Sequence, residues 1–96
     1  MFSAKILEND EIFFSGRLDA SQVEKANKVL DQVNSSKTLN FQELEYISSA
    51  GLGILLSHQK RLNALGYTLK LANLNKHIKD VFMFTGFDKI FTIEQK

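Results

Sequence analysis

The sequence predicts a single α/β domain over residues 1–96, a mixed and mostly parallel β-sheet of four to five strands with helices packed against it, in the order β-β-α-β-α-β-α-β. Three observations carry that expectation. Short runs rich in Ile, Leu, Phe and Thr alternate with longer segments whose apolar residues recur at helical spacing. Alternation of this kind favours parallel strands joined by right-handed crossovers. The chain has 96 residues, 44% hydrophobic and 24% charged, which is one core's worth of an ordinary globular domain. Proline is absent, so the breaks must fall on Asn, Asp, Ser and Gly.

Lys5–Glu8 and Glu11–Ser15 form an opening hairpin around Asn9-Asp10, two residues that tolerate positive φ. After Gly16-Arg17, Asp19 is placed to cap the first helix, with Gln22 reaching back to it as in a capping box. Val23, Ala26, Leu30 and Val33 then follow one apolar stripe up to Asn34-Ser35-Ser36. Thr38–Phe41 is the next strand, with Leu39 and Phe41 on one face, and Glu43–Ile47 leads into the turn Ser48–Gly53. The second helix carries Leu52, Leu55, Leu56, Leu62 and Leu65, and Gly66 is placed to end it in the left-handed conformation. Tyr67–Leu71 alternates as a half-buried strand. Asn75 caps a third helix, Lys76–Phe84, with Ile78, Val81 and Phe82 inward. Gly86 closes it, Phe87 returns to Phe82, and Lys89–Ile93 is the last strand.

Several function classes drop out. With no cysteine there is neither a disulfide framework nor thiol chemistry. His58 and His77, the only imidazoles, lie on different helices and read as surface residues, so no metal site is expected. Ser48 and Ser49 do not sit in a Gly-x-Ser-x-Gly elbow, and His58 is roughly 13 Å further along the same helix axis. Gly51-Leu52-Gly53 begins a dinucleotide fingerprint, but Leu56 stands where the third glycine belongs. Neither an enzyme nor a cofactor is expected. Twelve basic and eleven acidic residues leave a formal charge of +1, with no nucleic-acid footprint; Lys60 and Arg61 read as a solvated face. The longest clean apolar run, Leu52–Leu56, falls far short of the roughly 20 residues that span a bilayer. The first residues also lack a signal-peptide layout, so a cytoplasmic protein without direct membrane insertion is expected.

What stands out is Ile47-Ser48-Ser49-Ala50-Gly51-Leu52-Gly53, two hydroxyls where a strand turns into a helix. Free backbone N–H groups and the positive end of the helix dipole converge there. Either serine could simply cap the helix. Yet Gly51 and Leu52 occupy the positions from which Glu or Gln would reach back, so no carboxylate of the chain's own fills the mouth. A phosphate on Ser49 would bring about 1.5 to 2 negative charges to that end, where the helix tolerates them.

Gly16-Arg17-Leu18-Asp19-Ala20, together with Leu39-Asn40-Phe41 and the run Gln42 to Leu56, resembles the STAS domain, most closely its stand-alone bacterial form, the anti-sigma factor antagonist. Gly66–Leu71 and Val81–Phe91 resemble that family's later strand, closing helix and final strand, so the likeness spans essentially the whole chain. The resemblance implies a binding module, not an enzyme. Its unphosphorylated form would bind an anti-sigma factor with serine-kinase activity and release a sigma factor. Phosphorylation would end that binding, and a metal-dependent serine phosphatase would restore it. The phosphoacceptor maps to Ser49, Gly51 and Leu52 map to the motif's turn and first core contact, and Asp19 maps to the acidic residue of the Gly-x-Leu-Asp turn. The family's aspartate before the phosphoacceptor is Ser48 here, which puts a second candidate hydroxyl beside the first. The acidic residue of the preceding strand is Asn40. The implied partner surface gathers Arg17, Leu18, Asp19, Ser48, Ser49, Ala50 and Gly51, with Met83 as an exposed apolar contribution and Phe84 expected in the core. The family also includes non-phosphorylated subunits of lipid-transport ABC complexes, the alternative role.

Overall fold

Burial of Phe2 decides where the sheet begins. The computed structural model describes residues 1–94, and in it β1 covers Phe2–Ile6. The local sequence pattern starts this strand at Lys5; the structure starts it at Phe2, which is fully buried and packs edge-on to Phe14 at 5.1 Å. Phe14 in turn stacks on Phe41 at 5.5 Å. Three aromatic rings from three strands thus anchor one end of the core, each worth about 3–5 kcal/mol against truncation to Ala.

β2 (Glu11–Leu18) runs antiparallel to β1, and β3 (Lys37–Ile47), β4 (Leu69–Ala72) and β5 (Thr92–Glu94) follow in parallel, giving the sheet order β1-β2-β3-β4-β5. The expected mixed, mostly parallel sheet is therefore present, with five strands. β2 does not stop at Ser15. Gly16, at φ +86°, lets Arg17 N donate to Met1 O at 3.0 Å, and a Cβ on Gly16 would overlap that carbonyl oxygen. β3 is one strand of 11 residues, not two segments. Its register against β2 slips between Phe13 and Ser15 and again between Gly16 and Arg17. Each slip adds a residue to β3, so Leu39, Phe41, Leu44 and Ile47 all stay buried although their spacing is 2, 3 and 3.

Helices α1 (Val23–Leu30), α2 (Ser49–Ala64) and α3 (Lys76–Thr85) complete the layers. The capping box expected from Asp19 and Gln22 is not formed. A 3-10 turn, Ala20–Gln22, precedes α1, and the Asp19 carboxylate is taken by Ser21. On α3, Asn75 caps as expected and also pins the helix: Oδ1 accepts from Ile78 N at 2.8 Å while Nδ2 donates to Leu44 O at 3.0 Å. Gly66 and Gly86 adopt positive φ at the ends of α2 and α3, and Phe82 meets Phe87 edge-on. Phe87–Lys89 forms a 3-10 turn, which delays the last strand from Lys89 to Thr92. Tyr67 lies outside β4, and Leu65 is exposed past the end of α2.

His58 corrects the surface reading. It is 3% exposed and lies on the buried stripe of α2 with Leu55 and Leu62. The Arg61 guanidinium donates to Nδ1 at 3.2 and 3.4 Å, so Nδ1 is the acceptor and Nε2–H donates to Asn27 Oδ1 at 2.7 Å. Arg61 also donates to Leu30 O at the end of α1 and to Val33 O in the loop after it, instead of belonging to a solvated face. Gln59, likewise buried, bridges Leu69 N and Ile90 O.

Burial, and then the Arg61 charge, hold the His58 pKa below its usual 6.5, outweighing Asp31 at 3.7 Å. Protonating Nδ1 would turn an acceptor into a donor facing Arg61. Because the unfolded chain takes up that proton near pH 6.5 and the folded chain does not, stability falls as pH drops below about 6.5. Thermal melts between pH 7.5 and 5.5 should show a falling Tm, and His58→Gln should flatten this slope. A wild-type Tm independent of pH over that range contradicts the arrangement.

Candidate functional site

The site is built where β2 and β3 end together. Leu18 pairs with Ile47, and Ser48 N donates to Leu18 O at 2.9 Å, which carries the pairing one residue past β3. The chain then turns into α2. Ser48 has extended geometry, φ −87° and ψ 168°, and its Oγ accepts from Gly51 N at 3.1 Å. Its carbonyl accepts from Leu52 N at 2.9 Å. Ser48 is therefore the N-cap.

Gly51 is what lets the helix sit there. A Cβ on it would lie 3.0 Å from Ile47 Cγ1, 3.0 Å from Leu18 Cγ and 3.2 Å from Leu18 O. A side chain there would need Leu18, Ile47 or the helix itself to give by a few tenths of an ångström, so the buried glycine permits this close approach of helix and strands. Leu52 and Leu55 then enter the core behind it.

With Ser48 engaged and Gly51 buried, Ser49 and Ala50 are the exposed residues of the first turn. Gly53, one helical turn beyond Ser49, is also exposed, and a Cβ there would meet nothing within 4 Å. The rim around Ser49 is thus made of small side chains. The first turn of α2 contains no acidic residue, so the positive end of the helix faces outward uncompensated by a carboxylate of its own.

Asp19 follows Leu18 directly. Its Oδ1 accepts from the Ser21 hydroxyl at 2.6 Å and from Ser21 N at 3.1 Å. The Ser21 hydroxyl holds the carboxyl below the usual carboxylate range; the Ser21 amide and Arg17 add to this against the raising effect of desolvation. Arg17 points elsewhere. Its guanidinium lies 4.4 Å from the centre of the Tyr46 ring, which stacks on His77 at 6.4 Å and 18°. Sequence reasoning misses the Arg17–Tyr46–His77 stack, because Arg17 and Tyr46 become neighbours only through the register slip between Gly16 and Arg17. Met83 is exposed, as expected, but lines a separate groove with Lys79, Asp88, Ile93 and Glu94. Phe84, expected in the core, is 91% exposed: it lies about 200° around α3 from the buried Phe82.

Asn40 has a structural reason. It is buried, its Oδ1 accepts from Gln42 N and Asn73 Nδ2, and its Nδ2 donates to Glu11 Oε1 at 3.2 Å. A carboxylate at this position would lose the donor and face Glu11 with like charge. Among the described residues no cluster of His, Asp and Glu could hold a metal ion, and no helix is long and apolar enough to cross a membrane.

Comparison with known proteins gives the chain its family and its fold. The STAS domain model matches residues 3–96. The chain belongs to the STAS family. Over 74 residues it is 35% identical to BtrV of Bordetella bronchiseptica, a protein proposed to be an anti-sigma factor antagonist; the match covers 77% of this chain and 58% of that protein's length. Among solved structures, the phosphorylated form of the Bacillus cell fate determinant SpoIIAA superposes with a TM-score of 0.75 at 20% identity, over 100% of this chain and 91% of that one. An anti-sigma factor antagonist from Mycobacterium paratuberculosis gives 0.82 at 16% identity, over 98% and 84%. These likenesses show that the five-stranded α/β fold of this STAS domain is the one those antagonists adopt.

The two serines should separate in a stability measurement. Ser48→Ala removes the cap and should cost about 1 kcal/mol in denaturant unfolding, whereas Ser49→Ala should stay within about 0.5 kcal/mol of wild type. Equal losses at both positions contradict the division of roles.

Proposed function

We propose that this STAS domain is an anti-sigma factor antagonist that binds a kinase-type anti-sigma factor when Ser49 is unmodified and lets go when Ser49 is phosphorylated. One observation carries the reading: Ser48 Oγ is committed to Gly51 N, while Ser49 stands exposed on a rim of small side chains at the mouth of α2. A kinase needs an accessible hydroxyl, and Ser49 offers one that the helix does not require. The phosphate would sit at the positive end of α2 without displacing the cap, so the domain keeps its fold and changes only its surface charge. A partner docked against Ser49, Ala50 and Gly53 would lose contact with a neutral, closely packed rim and meet a divalent anion instead. Leu18 and Gly51 are buried beneath that rim and act by holding it in place. Asp19, already tied to Ser21, marks the adjoining edge. Similarity to BtrV and to SpoIIAA, a protein solved in phosphorylated and unphosphorylated forms, supports the same reading. A metal-dependent serine phosphatase would return the domain to its binding form.

The test is a native-lysate pull-down with wild-type, Ser49→Ala and Ser49→Asp baits, followed by kinase assay of what is recovered. Wild type and Ser49→Ala should retain an ATP-binding anti-sigma factor, and Ser49→Asp should lose it by at least about tenfold. ATP should release the wild type but not Ser49→Ala. Equal recovery by all three baits, or recovery of a transporter ATPase by all three, sinks the switch and points to the ABC-subunit role.

A further inference from the structure

The stack of Arg17, Tyr46 and His77 takes no part in the phosphorylation of Ser49, yet it adjoins the mouth of α2. Arg17 and Tyr46 pair across β2 and β3, and each stands one residue before the Leu18–Ile47 pair that leads into the helix. The guanidinium lies 4.4 Å from the centre of the Tyr46 ring, on which the exposed His77 ring stacks. Among the described residues nothing accepts a hydrogen bond from that guanidinium, and no carboxylate forms an ion pair with it. Asp19, two residues on, feels its charge, but the Asp19 Oδ1 is held by Ser21. A guanidinium laid on a ring is fixed in orientation, with one flat face covered and its N–H edge left open. Arg17 is exposed, so that edge meets solvent.

α3 continues this surface. His77, Val81 and Phe84 recur at i, i+4 and i+7, which brings Phe84 within about 20° of the His77 direction and about 10 Å further along the axis. Phe84 is 91% exposed. One end of the strip is thus an open cationic edge and the other an uncovered phenyl ring. A carboxylate fits that edge in bidentate geometry. A phosphate or a polyanion fits it less well, because Asp19 lies close by and the chain's formal charge is only +1. The phenyl ring calls for an apolar surface in the same ligand, which a protein has and a free anion lacks. We propose that the partner docking at the mouth of α2 also sets a carboxylate on Arg17 and an apolar surface over Phe84. The identity of that partner rests on the reading given under the proposed function. The strip is then the constant part of an interface whose variable part is Ser49.

An ion pair on an exposed strip is screened by salt, so binding should weaken as ionic strength rises. Arg17→Met keeps the length of the side chain without its charge and should flatten that dependence. Arg17→Lys keeps the charge and loses the planar two-pronged edge, so it should recover only part of the affinity. Both ends of the strip are exposed, and the variants should keep a Tm within about 5 °C of wild type.

Wild type, Arg17→Glu, Arg17→Lys, Phe84→Ser and Ser49→Asp serve as baits, and the protein that wild type retains is identified, purified and titrated against each by calorimetry. Arg17→Glu should weaken binding at least about thirtyfold, and Arg17→Lys and Phe84→Ser roughly tenfold. Reversing one surface carboxylate of the partner to Lys should restore binding to Arg17→Glu. Binding lost in Ser49→Asp but unchanged in Arg17→Glu or Phe84→Ser overturns the anchor and leaves the switch. Binding lost in Arg17→Glu and Phe84→Ser but unchanged in Ser49→Asp overturns the switch and leaves the anchor. A partner in which no carboxylate reversal rescues Arg17→Glu overturns the proposal, as does a wild type that retains nucleic acid or no protein at all.

Discussion

Everything at the mouth of α2 follows from how closely that helix approaches the ends of β2 and β3. Contact distances of 3.0 Å from a Cβ at Gly51 to both Leu18 and Ile47 leave room for a side chain there only if those neighbours or the helix give by a few tenths of an ångström. Once the first turn is fixed at that distance, Ser48 N falls on Leu18 O and Ser48 Oγ on Gly51 N. The cap, the pairing of two strand ends and the direction of the helix axis are then one arrangement. Ser49 is left exposed, with Ala50, because Ser48 and Gly51 are consumed by that arrangement.

Electrostatics give this geometry its use in the proposed switch. Helix N-termini favour anions, and many helices fill that position with their own Asp or Glu. Here the first turn of α2 is Ser-Ala-Gly-Leu, and Asp19, which directly follows the strand end paired with that turn, is held by Ser21. The end of the helix is left ready for a charge that comes and goes. Rigidity matters as much as charge: Arg61 and His58 tie α2 to α1, and Gln59 ties it to β4 and to Ile90 at the end of the 3-10 turn before β5, so a modification at Ser49 acts on a surface and not on a loose segment.

The order of elements and the mixed sheet are legible in the sequence because helix stripes and strand runs are local patterns. So are Gly66, Asn75 and Gly86, whose roles depend on their own φ or on a partner three residues away. β3 is not legible as one strand. Its buried residues step 2, 3 and 3, and the two register slips that keep them on the core side are set by β2, far away in sequence. β1 begins earlier than its local pattern indicates because Phe2 gains its burial from Phe14, a contact no window of neighbouring residues contains. His58 and Gln59 do carry a signal: they fall between Leu55 and Leu62 on the buried stripe, where polar residues need partners that only the folded sheet and α1 supply. At the site, the sequence shows two hydroxyls and leaves open which one caps. Only the distance from Ser48 Oγ to Gly51 N separates them.

Amide hydrogen exchange at Gly51 and Leu52, compared between the unmodified chain and the chain carrying phosphoserine at position 49, separates the two serines' roles most sharply. If Ser48 holds the helix and Ser49 is free to carry the charge, protection at both amides should change by less than about threefold. A loss of protection of a hundredfold or more, about 2.7 kcal/mol of local opening, would mean that the Ser49 hydroxyl is part of the cap and that phosphorylation acts by unwinding α2.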